Sequence, residues 1–114
     1  MGRVALVVDD DPAVLEVIAN MLEDLGCEVI CASNGTDALA HLASEKRIEI
    51  LITDINMPDI AGYELAEKAK RVRYDLKPIL LSGGESDSHG FPMLRKPFFQ
   101  DDLRRVMKET AGLC

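Results

Sequence analysis

The chain has 114 residues, enough for one domain and no more, and its 47% hydrophobic content supports a buried core without disulfide or metal staples. A formal net charge of −7 argues against nucleic acid and anionic membrane surfaces as partners, and the 4% aromatic content requires an aliphatic core. No apolar run approaches the roughly 20 residues of a membrane span, and the first one, Val4–Val8, stops at three aspartates and so is no signal peptide. Cys27, Cys31 and Cys114 show no metal-ligand spacing and read as free thiols of a cytoplasmic protein, with Cys27 and Cys31 expected as small buried residues.

Short apolar runs alternate with amphipathic stretches. Val4–Val8 reads as a strand covered on both faces. Asp11-Pro12 then reads as an N-cap followed by proline at the first helical position. Val14, Leu15, Ile18, Met21, Leu22 and Leu25 form one helical stripe, and Gly26 is the stop. A weaker strand covers Glu28–Cys31, and Asn34-Gly35 reads as a turn. A second helix spans Thr36–Glu45, with Ala38, Leu39 and Leu42 on its apolar side.

Ile48, Ile50, Leu51 and Ile52 make a third strand that ends at Thr53-Asp54, and Met57-Pro58-Asp59 must be loop. The third helix, Glu64–Arg73, points Leu65, Ala66, Ala69 and Val72 inward and Lys68, Lys70, Arg71 and Arg73 outward. Ile79–Leu81 is a fourth strand, Met93-Leu94 a short fifth, and Phe98–Thr110 a last helix with Leu103, Val106 and Met107 inward. Alternating strands and helices predict an α/β fold, a parallel sheet with helices on both faces. Ligands of such sheets sit beyond the carboxyl ends of the strands, near a topological switch point.

The residues at those ends are Asp9-Asp10, Asp54, Ser82 and Lys96-Pro97. Three neighbouring carboxylates repel and raise one another's pKa, a conflict that a divalent cation removes. Mg²⁺ suits oxygen donors, and the lack of His or Cys at these positions argues against zinc. Lys96 offers a fixed positive charge and Ser82 a donor for the oxygens of a transferring phosphoryl group. A carboxylate nucleophile such as Asp54 can form an acyl phosphate. Taken singly, each residue has a plainer reading: aspartates that cap a helix, a loop-entry Asp54, a turn-forming Ser82, a solvated Lys96. Their joint occurrence at four strand ends favours the site.

Four segments in this order, VVDDDP (7–12), ITDINMPDIAG (52–62), LLSGG (80–84) and LRKPF (94–98), resemble the response regulator receiver domain family, and the likeness runs from Val4 to about Met107. The resemblance implies a flavodoxin-like doubly wound five-stranded parallel sheet of order 2-1-3-4-5 over a single domain, residues 1–114. It implies Asp54 as phosphoacceptor, Asp9 and Asp10 as Mg²⁺ ligands beside Asp54, and the backbone carbonyl of Asn56 as a further ligand. It makes Ser82 the switch hydroxyl and Lys96 the phosphoryl-binding lysine, ahead of a cis Lys96-Pro97 bond. The implied partner is a histidine kinase or phosphotransfer domain carrying phosphohistidine, and the implied setting is a stand-alone receiver or the receiver part of a hybrid histidine kinase.

The segment from Ser82 to Lys96 departs from the family, because Gly83, Gly84, Ser86, Ser88, Gly90 and Pro92 break any helical pattern. The helix usual between the fourth and fifth strands is therefore expected to be missing or reduced to a turn. Met93 also stands where the family places an aromatic. Exposure of this side would let Phe91, Met93, Phe98 and Phe99 form a homodimer or partner patch along the fifth strand and last helix. The rival readings are a pseudo-receiver that binds without phosphorylation and a phosphatase of the haloacid dehalogenase type. Turnover of a phosphomonoester would support the phosphatase reading, and stoichiometric labelling of Asp54 would not.

Overall fold

A computed structural model describes residues 3–44, 47–84 and 89–111. The elements are β1 (Val4–Val8), α1 (Pro12–Asp24), β2 (Glu28–Ala32), α2 (Gly35–Ala43), β3 (Ile50–Asp54), α3 (Gly62–Val72), β4 (Lys77–Ser82), β5 (Met93–Arg95) and α4 (Gln100–Ala111). The strands form one parallel sheet in the order β2-β1-β3-β4-β5. Alternate strand residues feed two cores. Leu6, Val8, Leu51 and Leu80 pack with Ala38, Leu42, Leu65, Ala66 and Ala69 of α2 and α3. Ala5, Val7, Ile50, Ile52, Ile79 and Leu81 pack with Ile18, Leu22, Leu103 and Met107 of α1 and α4. Each fully buried aliphatic side chain contributes about 1.5–3 kcal/mol, so an almost aromatic-free core suffices.

Local chemistry sets the element ends. The Asp11 side chain accepts the Ala13 N–H at 2.9 Å to start α1, and Gly26 takes φ +89 just after it. Pro78 lies inside β4 without cost. Lys77 N–H donates to Glu49 on the β3 side and Leu80 N–H to Pro92 on the β5 side, so a donor at position 78 would face the β5 side, where pairing begins only at Leu80 and Met93.

Four sequence expectations are corrected. Asn34-Gly35 is no free turn: Asn34 is the N-cap of α2, accepting the Asp37 N–H at 2.8 Å, and Gly35 is its first residue. Cys31 is exposed while Cys27 is buried, because edge strand β2 is only partly covered. Val72 is 54% exposed, and Arg73, expected outward, instead turns in. The Arg73 guanidinium donates to the carbonyls of Leu42 at 3.0 Å and Ser44 at 2.8 Å, a cation at the C-terminal end of α2. At the other end of α2, the Asp59 carboxylate accepts the N–H groups of Gly35 and Thr36 and the Thr36 hydroxyl, each at 3.0 Å. The Gly35 amide foremost, then that of Thr36, holds the Asp59 carboxyl below the usual carboxylate range.

Among the described residues no helix connects β4 to β5. Residues 85–88 of the glycine- and serine-rich stretch lie outside the described set. Phe91 and Met93 pack on the α2/α3 core, and Leu80 is fully buried. His89, at φ +52, stacks on Tyr63 of α3 with ring centroids 3.7 Å apart. Phe98 packs into the opposite core and Phe99 is 79% exposed, so the four residues expected to share one patch are divided between two faces.

Candidate functional site

The switch point of this strand order lies between β1 and β3, whose chains leave toward opposite edges of the sheet. Asp9 follows β1 and Asp54 closes β3, so both stand at that crevice. Carboxylate oxygens of Asp9, Asp10 and Asp54 lie within 4.8 Å of one another. Asp9 is only 1% exposed, Asp54 is half-buried, and Asp10 faces solvent.

Lys96 enters from the loop after β5. Its backbone N–H donates to the Ser82 carbonyl at 2.7 Å, and the Lys96-Pro97 bond is cis. The Lys96 Nζ donates to Asp9 Oδ2 at 3.0 Å and lies 3.5 Å from Asp54 Oδ1. The other Asp9 oxygen, Oδ1, accepts the Asp11 N–H at 2.9 Å. Ser82 is fully buried at the end of β4, and its Oγ accepts the Gly84 N–H at 3.1 Å. Asn56 is exposed, and its backbone N–H donates to the Asp54 carboxylate. The structure thus gathers Asp9, Asp10, Asp54 and Lys96, with Ser82 on the adjoining strand end and Asn56 in the loop after Asp54.

Burial raises the Asp54 pKa, Lys96 opposes that rise, the Asp9 charge adds to it, and the Lys96 and Asn56 hydrogen bonds also oppose it. Burial works against the Lys96 ammonium too, but the Asp9 hydrogen bond and the charges of Asp54 and Asp9 outweigh it and hold Lys96 above its ordinary range. One ammonium among three carboxylates leaves two excess negative charges. An all-oxygen donor set with excess negative charge fits a hard divalent cation such as Mg²⁺.

A stability prediction follows from the raised Asp54 pKa. A carboxyl whose folded pKa is raised contributes most to stability when protonated, and that contribution is lost as pH rises through the folded value. Metal-free Asp54→Asn protein is therefore expected to be more stable than the native chain at neutral pH, since Lys96 keeps its 3.0 Å bond to Asp9. The gain should vanish in the acid range, below the ordinary carboxylate pKa. Denaturant titrations of both proteins without divalent ions, at neutral and acid pH, check this.

Two contributors gave no sequence signal beyond their place in a motif. Asp59 acts on amides 24 and 23 residues earlier in the chain. A Cβ on Gly62 would stand 2.3 Å from the Asp54 carbonyl oxygen and 2.8 Å from the Ile55 Cα, so glycine is what lets α3 start against the backbone of the acidic site.

Fold and site together define a flavodoxin-like α/β domain with an acidic, lysine-braced pocket at its switch point. The chain belongs to the response regulator receiver domain family of two-component signalling, whose model matches residues 5–108. It is 33% identical over 86 residues to the CAI-1 autoinducer sensor kinase/phosphatase CqsS of Vibrio cholerae, covering 75% of this chain and 12% of that protein. It is 31% identical to the chemotaxis protein CheV1 of Helicobacter pylori, covering 99% of this chain and 39% of that one. The chain thus spans less than half the length of either relative. Among solved structures, a CheY-like response regulator receiver domain protein from Methanospirillum hungatei JF-1 superposes with a TM-score of 0.87 at 32% identity, over 96% of this chain and 93% of that one. Among the described residues no helix is long and apolar enough to cross a membrane.

Proposed function

We propose that this chain is a single receiver domain over residues 1–114 that accepts a phosphoryl group on Asp54 from a phosphohistidine of a histidine kinase or phosphotransfer domain. The observation that carries the reading is the clustering of Asp9, Asp10 and Asp54 within 4.8 Å, with Lys96 Nζ between Asp9 and Asp54. Asp9, Asp10, Asp54 and the Asn56 carbonyl would hold Mg²⁺, which would supply charge neutralisation at the phosphoryl oxygens when bound.

An Asp54 carboxylate oxygen attacks phosphorus, the phosphorus–nitrogen bond breaks, and the imidazole leaves with the electron pair. The product is an acyl phosphate. Lys96 turns from Asp54 to one phosphoryl oxygen, and the Ser82 hydroxyl donates to another. Water attacking phosphorus in line later returns the carboxylate and releases inorganic phosphate. The Ser82 rearrangement is the start of the conformational signal. A largely apolar groove of about 520 Å³ beside Lys96, lined by Val14, Val17, Ile18, Met21, Pro97 and Phe98, supports docking of the donor protein along α1. We place the protein in the cytoplasm, as a stand-alone receiver or the receiver part of a hybrid kinase. Any homodimer forms through the β5 and α4 side, where Phe99 is exposed.

The test is incubation with a small phosphodonor and Mg²⁺, followed by intact mass. Native protein is expected to gain one phosphate per chain, and Asp54→Asn none. Equal labelling of Asp54→Asn would displace Asp54 as acceptor. A native chain that is never labelled would be a pseudo-receiver.

A further inference from the structure

We infer that Asp59 is a positioning residue for the cation site, fixing the loop that carries the Asn56 carbonyl by anchoring it to the N-terminus of α2. The inference rests on the proposed Mg²⁺ site and concerns how that site is held. The loop between β3 and α3, residues 55–61, is closed at its base: the Ile55 N–H donates to Leu81, and the Gly62 N–H returns to the Ile55 carbonyl at 2.8 Å. Between these points the chain arches outward, and Asn56, Pro58 and Asp59 are exposed.

Met57 and Ile60 pack against the α2/α3 core, and polar contacts hold the arch as well. The Thr53 hydroxyl contacts the Met57 sulfur at 3.8 Å, a weak bond. The Asn56 N–H meets the Asp54 carboxylate, which is itself part of the site. A further one is the α2 anchor. The Asp59 carboxylate takes two amides and a hydroxyl of Gly35 and Thr36 at 3.0 Å. Ile60 lies so close to Gly35 that a Cβ there would stand 2.0 Å from its Cγ2.

Helix α2 is a firm support. Ala38 and Leu42 are buried, and Arg73 binds its far end. Asp59 lies three residues beyond Asn56, so the anchor limits where the Asn56 carbonyl stands relative to Asp54. Coupling is reciprocal: a cation that draws on that carbonyl also tightens the Asp59 bonds to Gly35 and Thr36.

Mg²⁺ titration calorimetry on native protein, Asp59→Ala and Asp59→Asn, each verified as folded by circular dichroism, tests the inference. Asp59→Ala is expected to bind Mg²⁺ about tenfold more weakly, the usual scale for losing a group that orients a metal site. Asp59→Asn keeps an oxygen for the amides while dropping the charge, and should recover much of the loss. In native protein Mg²⁺ should also slow hydrogen exchange at the Gly35 and Thr36 amides, a readout that needs no variant. Native affinity in Asp59→Ala, equal weakness of the Ala and Asn variants, or exchange unmoved by Mg²⁺ would each overturn the positioning role. Failure of the native protein to bind Mg²⁺ would instead remove the cation site itself.

Discussion

Lys96→Ala is expected to slow labelling of Asp54 by about 100-fold or more while tightening Mg²⁺ binding. The rate loss follows from the proposed reaction, in which Lys96 is the fixed cation at the phosphoryl oxygens, a contribution typically worth two to three powers of ten. The affinity gain follows from the resting geometry. The ammonium sits 3.0 Å from Asp9 Oδ2 and 3.5 Å from Asp54 Oδ1, so it competes with a metal ion for the same carboxylates. Without metal, the variant should lose about 2–3 kcal/mol of stability. Breaking a buried pair costs about 3–5 kcal/mol, and Lys96, 25% exposed, warrants a discount. Saturating Mg²⁺ should restore much of this loss, because the variant gains more from binding. Initial labelling rates, calorimetric Mg²⁺ titration and denaturant curves with and without the ion measure all three effects. A labelling rate equal to that of native protein would remove Lys96 from the reaction.

Gly62→Ala is the second change with a large expected effect. The added methyl would meet the Asp54 carbonyl oxygen at 2.3 Å and the Ile55 Cα at 2.8 Å, and both are backbone atoms that no side-chain rotation can move. Either α3 shifts outward or the end of β3 bends. The first disturbs the contacts of Leu65 and Ala66, and the second moves the phosphoacceptor. Overpacking of this kind costs about 3 kcal/mol, and labelling of Asp54 should fall with it. Gly83→Ala is the matching control. An added Cβ there meets nothing within 4 Å, so its stability should stay within about 0.5 kcal/mol of native. If Gly62→Ala proved as stable as Gly83→Ala, the close approach of α3 to Asp54 would not be a constraint.

Among the described residues the connection between β4 and β5 carries no helix. A helix there would normally cover the sheet beside Leu80. In this protein Phe91 and Met93 supply apolar cover, and the His89–Tyr63 stack ties the connection to α3. Met93, at the position where the resemblance places an aromatic, is partly buried and packs against the α2/α3 core. An output that depended on an exposed aromatic at that position would have to run through another part of the surface.

Element order, strand identity and the residues of the acidic pocket could be read from the chain alone. Val4–Val8, Ile50–Ile52 and Ile79–Leu81 are continuous apolar runs rich in β-branched residues and leucine, and Pro12 and Gly26 bracket a helix. Such signals are local, set by the residue's own backbone preference and by periodicity, and they survive without knowledge of neighbours. The gathering of Asp9, Asp54, Ser82 and Lys96 could be anticipated because a parallel sheet sends every strand's end to one edge. What the tertiary structure alone decided is which atoms meet across long stretches of chain. Arg73, legible only as one more outward cation of α3, caps α2 because the two helices pack side by side. Asp59, legible only as a loop residue, grips Gly35 and Thr36 because β1 lies between β2 and β3, leaving α2 beside the loop that follows Asp54. Bonds formed between residues more than twenty positions apart leave no periodicity behind them, and only the packed chain brings their partners within reach.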